Sequence, residues 1–521
     1  MRTISHFING QSVTRPGAIT SPVYDPSTGQ VQALLEHGDA AILAETVAAA
    51  KAAQPAWAAI DPLRRARVIF KFKALIEEHR QELIHLMSSE HGKLLSDSNG
   101  ELQRGLDVVV FMCGVPHLQK GEFTQGAGPG LNVYSIREPL GVVAGIPPFN
   151  FPGMIPLWML TPAIAVGNAF ILKPSERAPS AALRVVELAH EAGVPPGIVN
   201  VVQGSQEVGE AIGDHPDIKA VTFIGSTEVA RLVYTRGAGN GKRVQCLGGA
   251  KNHGVILPDA DLDSAVVDIL AGAFGSAGER CMAMPVIVPV GKRTAEAVRE
   301  RLLEEIPRLR VGGFTDPDAQ MGPVVTPENK RKIEGYIQLA VDEGAELVID
   351  GRGRSLPGHE EGFFLWPSLI DHVTRSMKSY QDEIFGPTLQ IVRAETFEEA
   401  LSYPNLHHQG NAVTVFTRSG DAAQRFIAEV EVGMVGVNFP LPTPVGYYSH
   451  GGWKNSAFGD LNQYGEDSIR FFTRTKNVTQ RWPHGASGVG WRGYSEQAID
   501  AVGGELGVAA VAADAFYGQG A

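Results

Sequence analysis

Cysteine is scarce in this chain: Cys113, Cys246 and Cys281 are the only three in 521 residues. That excludes a disulfide framework and points to a reducing compartment, so the cytoplasm is the expected location. Long apolar runs are missing too. The longest stretch, around residues 153–172, is interrupted by Pro156, Pro162, Gly167 and Asn168, and reads as a buried helix and strand instead of a membrane span. The first ten residues contain no apolar signal core and no Arg/Ser-rich leader. Positive charge is in deficit, with 45 Lys and Arg against 57 Asp and Glu and a formal charge of −12. Nucleic acid and anionic membranes are therefore not expected partners. None of the 15 histidines has metal-ligand spacing with a cysteine or carboxylate, so no metal is expected. His253 and the His407–His408 pair read as structural or surface residues. There is no GxGxxG fingerprint and no internal repeat.

What is present is a long α/β pattern. A chain of 521 residues is too long for one ordinary core, so two or three domains are expected. Apolar periodicity predicts helices over 40–54 and 63–90, with Pro62 suited to a first helical turn. Residues 131–137 alternate as a strand. From 140 onward, apolar runs at 142–146, 169–173, 198–202 and 220–224 alternate with helices, including 178–193 and one near 206–213. A second α/β series runs from about 254 to 440. Strands alternating with helices predict a mostly parallel, doubly wound sheet. Residues 470–478 predict a further strand, and the Gly/Ala-rich chain beyond Trp482 reads as loosely ordered or appended.

Chemistry concentrates in a few segments. Residues 274–283, Phe-Gly-Ser-Ala-Gly-Glu-Arg-Cys-Met-Ala, present one thiol, Cys281, beside Arg280. A thiolate is a strong nucleophile, and a neighbouring positive charge is expected to lower its pKa. A thioester formed there must be released. Release to water needs a general base, yet residues 244–251, Val-Gln-Cys-Leu-Gly-Gly-Ala-Lys, hold no carboxylate, which suggests a thiol acceptor such as coenzyme A. Asn150 lies in a proline-locked loop, 147–152, where it is either a rigid oxyanion donor or a loop-satisfying amide. Lys173 and Glu176 end a strand, where they hold ribose hydroxyls or form a solvated turn. The Gly225-Ser226 turn before a helix suits a pyrophosphate, or is an ordinary turn. Glu383 and Phe385 either hold a ribose and a ring or form a turn around a buried Phe.

In this order, Pro-Phe-Asn-Phe-Pro (148–152), Lys-Pro-Ser-Glu (173–176), Phe-Ile-Gly-Ser-Thr (223–227), Gly-Glu-Arg-Cys (278–281) and Glu-Ile-Phe-Gly-Pro (383–387) resemble the aldehyde dehydrogenase superfamily, over about residues 5–482. Residues 249–253, 280–283 and 436–440 resemble its CoA-acylating branch, which oxidises methylmalonate semialdehyde. The resemblance implies NAD as cofactor and CoA as co-substrate, with propanoyl-CoA or acetyl-CoA formed after decarboxylation. It implies Cys281 as nucleophile and Asn150, with the Cys281 amide, as oxyanion hole. Arg104 and Arg280 would bind the substrate carboxylate. Phe149, Lys173, Glu176, Arg177, Gly225, Ser226, Glu383 and Phe385 would line the cofactor site. The implied domains are a discontinuous NAD-binding domain (1–118 and 139–249), a catalytic domain (250–446), an oligomerisation arm (119–138 and 463–482) and a C-terminal extension (483–521), in a homodimer or homotetramer. Glu279 departs from the usual glutamine and adds negative charge beside the nucleophile. Two alternatives stand beside this reading: a hydrolytic enzyme using another base such as Glu279, and a non-catalytic NAD-binding scaffold.

Overall fold

The computed structural model describes residues 1–128 and 130–482, so the expected extension at 483–521 lies outside the described residues. The described residues divide into two units, one of Met1–Gly121 with Ser135–Lys476 and one of Glu122–Tyr134 with residues 477–482. The first unit holds two large sheets. In the eight-stranded sheet the order is Ala457–Phe458, Arg243–Leu247, Ile218–Ile224, Val142–Ile146, Ala169–Leu172, Val199–Val201, His6–Ile8, Gln11–Val13. Its five central strands are parallel, and antiparallel strands finish both edges. In the seven-stranded sheet the order is Glu346–Ile349, Ser368–Asp371, Thr388–Ile391, Val286–Pro289, His253–Ile256, Ala412–Phe416, Met434–Val437. All its pairings are parallel except the first. The doubly wound α/β class expected from alternation is the observed one. The strands Val142–Ile146, Ala169–Leu172 and Val286–Pro289 are buried on both faces, which is why they read as unbroken apolar runs.

Local signals set most element ends. Asp39 caps the helix Ala40–Ala59 by accepting from the Ile42 amide at 2.9 Å, and Asp61 caps Pro62–Glu78 by accepting from Arg64 at 3.0 Å. Pro62 occupies the first turn, as its sequence position suggested. The single helix expected over 63–90 is instead two, Pro62–Glu78 and Arg80–His91, separated at His79 where ψ is 18°. Gly92 ends the second at φ 91°, and a Cβ there would come within 2.8 Å of Pro323.

The strand expected over 470–478 is also corrected. Residues Gly465–Phe472 are helical, and the strand is Thr473–Arg481. The guanidinium of Arg243 donates to the carbonyls of Arg470 (2.8 Å), Phe471 (2.8 Å) and Thr473 (2.6 Å). Those are the orphan acceptors of a helix end, so a residue over two hundred positions away fixes the change from helix to strand. The strands Thr473–Arg481, Leu131–Pro139 and Phe123–Gly128 form a three-stranded sheet in that order. Among the described residues, no helix is long and apolar enough to cross a membrane.

Candidate active site

The expected site residues of the eight-stranded sheet follow the C-terminal ends of its parallel strands. Phe149 and Asn150 come after Val142–Ile146, Lys173–Arg177 after Ala169–Leu172, Gly225 and Ser226 after Ile218–Ile224, and Gly248–Lys251 after Arg243–Leu247. Open α/β sheets bind ligands at such ends. The nucleophile loop comes from the other sheet. The helix Leu262–Phe274 runs into Ser276, Ala277 and Gly278, with φ of 51°, 52° and 72°. Two non-glycine residues in the left-handed region cost of the order of 1 kcal/mol or more each, and such strain concentrates at functional sites. At Gly278 a Cβ would lie 2.3 Å from the Gly386 carbonyl, so only glycine fits. The Cys281 carbonyl then accepts from Asn252 (2.9 Å) and Asn411 (3.0 Å). Asn252 also donates to Ala283 (2.7 Å) and accepts from the Ala412 amide (3.0 Å). Sequence reasoning missed both asparagines; Asn252 stood in a quoted motif, whereas nothing local marked Asn411.

Burial pushes the Cys281 thiol up to about 12, and Glu383 adds to that; the Cys281 and Met282 amides and Arg280 oppose it. Arg280 lowers the thiol pKa as expected, but burial outweighs it and the net shift is upward. Its guanidinium is committed to Asp97 (2.6 Å), Ser276 (3.2 Å) and the Ala271 carbonyl (3.3 Å). Arg104 is different. It is exposed, and among the described residues its guanidinium has no hydrogen-bond or ion-pair partner.

Asn150 is buried and donates to the Glu279 carbonyl at 3.0 Å, which brings it to the nucleophile loop. Its own carbonyl accepts from the Lys93 ammonium. Lys93 pairs with Glu101 at 2.7 Å, both side chains wholly buried. The other Glu101 oxygen accepts from the Gly153 and Met154 amides, at 2.8 and 3.0 Å, where the helix Met154–Ala165 begins. The oxyanion candidate thus sits on a loop held by a buried ion pair that sequence reasoning did not find.

Glu279 does not act where expected. Its carboxyl accepts from the Val325 amide (3.2 Å) and from Asn329, and His91 lies 3.6 Å away. Burial pushes it up to about 8. The carboxylate that raises the thiol pKa is Glu383, which accepts from Ala250 at 3.0 Å. Lys251 donates to the Ser379 and Asp382 carbonyls, both at 2.8 Å, and so ties residues 249–253 to the loop carrying Glu383 and Phe385. Cys246 is fully buried between Phe223 and Phe458 in the sheet, and burial pushes its thiol far up. Leu247 is buried beside it and accepts the Gly225 amide at 3.1 Å.

The cofactor-side residues also gather. Lys173 lies 3.5 Å from Glu176, and this neighbour holds the Glu176 carboxyl below its usual range although burial works the other way. Arg177 lies 4.8 Å over the Phe149 ring, and Phe149 meets Phe385 edge-on at 5.8 Å. Ser226, exposed, precedes the helix Thr227–Gly239 with its side chain making no cap bond. Elsewhere Glu346, Asp371 and His372 cluster, but Arg299 bridges Glu346 to Asp371 and Arg393 binds Asp371 as well.

A strained loop carrying Cys281, tied through the Glu279 carbonyl to a buried asparagine at the end of a doubly wound sheet, is the arrangement the aldehyde dehydrogenase resemblance leads one to expect. The aldehyde dehydrogenase family profile matches residues 14–478, and the chain belongs to that family. It is 50% identical to the malonate-semialdehyde dehydrogenase of Pseudomonas aeruginosa over 487 residues, covering 94% of this chain and 98% of the relative. It is 43% identical to the mitochondrial acylating methylmalonate-semialdehyde dehydrogenase of Arabidopsis thaliana, covering 92% and 79%. A Sinorhizobium meliloti 1021 crystal structure assigned to methylmalonate-semialdehyde dehydrogenase, complexed with NAD, superposes with a TM-score of 0.92 at 54% identity, covering 93% and 99%.

Proposed function

We propose that this enzyme oxidises malonate semialdehyde and methylmalonate semialdehyde with NAD and transfers the acyl group to CoA, giving acetyl-CoA or propanoyl-CoA with loss of the carboxylate. The observation that carries the CoA step is the end of the strand Arg243–Leu247. The positions where a water-activating carboxylate is sought, Cys246 and Leu247, hold a buried thiol and a buried aliphatic side chain. Glu279 is occupied by Val325 and Asn329, which disfavours the hydrolytic alternative.

The residues present suit NAD. Lys173 and Glu176 offer a donor and an acceptor to ribose hydroxyls, the helix start at Ser226 offers free amides to the phosphates, and Phe149, Glu383 and Phe385 face the remaining half. NAD, when bound, accepts the hydride and brings a positive ring charge. Cys281 first gives up its thiol proton to water; the thiolate then attacks the aldehyde carbon, and Asn150 with the Cys281 amide holds the resulting alkoxide. Once the hydride has left that carbon, a Cys281 thioester remains. The CoA thiolate attacks it and Cys281 departs as thiolate. The carboxylate β to the thioester carbonyl then leaves as carbon dioxide, and the enolate is protonated. Arg104, free of ion-pair partners among the described residues, receives that carboxylate in the bound substrate.

The test is a rapid-mixing assay with NAD and malonate semialdehyde. Without CoA, about one NADH per site should appear and turnover should then nearly stop, because base assistance to water is worth roughly 10²–10⁴ in rate. Adding CoA should restore steady turnover with thioester formed in step with NADH. Fast, steady NADH production without any thiol would refute the acylating assignment.

A further inference from the structure

His91 closes the helix Arg80–His91 as a wholly buried imidazole, and neither ring nitrogen has a hydrogen-bond partner among the described residues. Native folds keep few buried polar atoms unpaired. The ring lies where two segments of the site meet. It stacks on Phe149 at 5.9 Å with 24° between the planes, and its Nε2 lies 3.6 Å from Oε2 of the equally buried Glu279. Phe149 precedes Asn150, and Glu279 stands two residues before Cys281. The Glu279 carbonyl takes one N–H of the Asn150 carboxamide at 3.0 Å, which leaves the other N–H for the alkoxide. The Glu279 carboxyl is engaged unevenly. Asn329 donates to Oε1, the Val325 amide is shared between the two oxygens at 3.4 and 3.2 Å, and Oε2 faces His91. Burial, with Lys93 and Arg280 nearby, keeps the imidazole uncharged. Burial also raises the Glu279 carboxyl to about 8, against the opposing pull of Val325, Asn329, Arg177 and Lys93. At neutral pH the carboxyl therefore has a proton to donate, and the imidazole a lone pair to accept it.

We infer that His91 is a positioning residue for the oxidation: its Nε2 accepts the O–H of Glu279, and that bond holds the nucleophile loop and, through the Glu279 carbonyl, the Asn150 amide in register. His91 then acts through Glu279, on the reading that Cys281 and Asn150 carry the chemistry. The tie lasts only while the carboxyl keeps its proton. Ionised Glu279 is a buried charge with no counter-ion of its own, because Lys93 is held by Glu101 and Arg280 by Asp97, and the loop gives way to hydrate it. A glutamine at 279 would offer His91 an amide N–H at every pH.

NADH burst rates at saturating NAD and malonate semialdehyde, taken from pH 7 to 9 in wild type and Glu279→Gln, read the tie. With half-ionisation near 8, the ratio of the Gln variant to wild type should rise from about one at pH 7 to roughly tenfold at pH 9. Titration of the Cys281 thiol is common to both proteins and cancels in the ratio. On a His91→Leu background the rise should vanish, and on a His91→Gln background, where an amide oxygen accepts the same proton, part of it should remain. A rise that survives in His91→Leu would overturn the role of His91. If His91→Leu fails to fold, infrared spectra read the proton directly: the carbonyl stretch of a protonated carboxyl should be present at pH 7, lost by pH 9.5, absent from Glu279→Gln and shifted in His91→Gln. No such band at pH 7, or an unshifted one in His91→Gln, would overturn the bond. A flat ratio with a full burst in wild type would overturn the positioning and leave the roles of Cys281 and Asn150 standing, whereas no burst in wild type at any pH would overturn those roles and the positioning with them.

Discussion

Replacing Lys93 should separate folding stability from turnover. Lys93 and Glu101 are a wholly buried pair at 2.7 Å. Glu101 also receives the Gly153 and Met154 amides, and Lys93 donates to the carbonyl of Asn150. Lys93→Met leaves the Glu101 carboxylate buried without its counter-charge, a loss of about 3–5 kcal/mol. Adding Glu101→Leu removes the stranded charge. An apolar pair is often no worse than the ion pair it replaces, but two amides now lose their acceptor at about 1 kcal/mol each. The double variant should therefore lie only about 2 kcal/mol below wild type, and above Lys93→Met. Rate should follow a different order. In both variants the Asn150 carbonyl loses its donor, so the side chain proposed to hold the alkoxide is no longer fixed. Both should slow hydride transfer, with Asn150→Ala, at about 10²–10³-fold, as the limit. Urea midpoints followed by circular dichroism give the stabilities, and the NADH burst rate gives the chemical step. A double variant no more stable than Lys93→Met, or an unchanged burst rate in Lys93→Met, would refute the reasoning.

Two further outcomes follow from the buried titrating groups. The Cys281 thiol, raised from 9.0 to about 12, should react with iodoacetamide about tenfold faster per pH unit between pH 7 and 10 without a plateau; a plateau below pH 9 would exclude so high a value. Glu279 is raised from 4.5 to about 8, so its contribution to stability is full below the lower value and is lost as pH rises through the upper one. Glu279→Gln should accordingly gain on wild type between pH 5 and 8, read as a growing difference in urea midpoints, and a constant difference across that range would contradict the assignment.

The sequence by itself determined the parallel α/β class and the order of the segments that carry the candidate site, the Cys281 loop among them. Each of these is written locally. Val142–Ile146 and Ala169–Leu172 are apolar throughout because both faces of a central parallel strand are covered, and that shows in a few consecutive residues. Caps such as Asp39 and Asp61 likewise act within three residues. The tertiary structure decided everything that depends on burial or on distant partners. Arg280 looked like an activator of its neighbour Cys281 until Asp97, 183 residues away, took its guanidinium. Glu279 looked like a charge beside the thiol until Val325 and Asn329 drew its carboxyl aside. The helix ending at Phe472 could not be told from a strand because its last carbonyls are satisfied by Arg243. A residue's type and spacing fix what it can donate, accept or attack. Desolvation and pairing, which set its charge and its aim, are sums over segments that only the folded chain brings together.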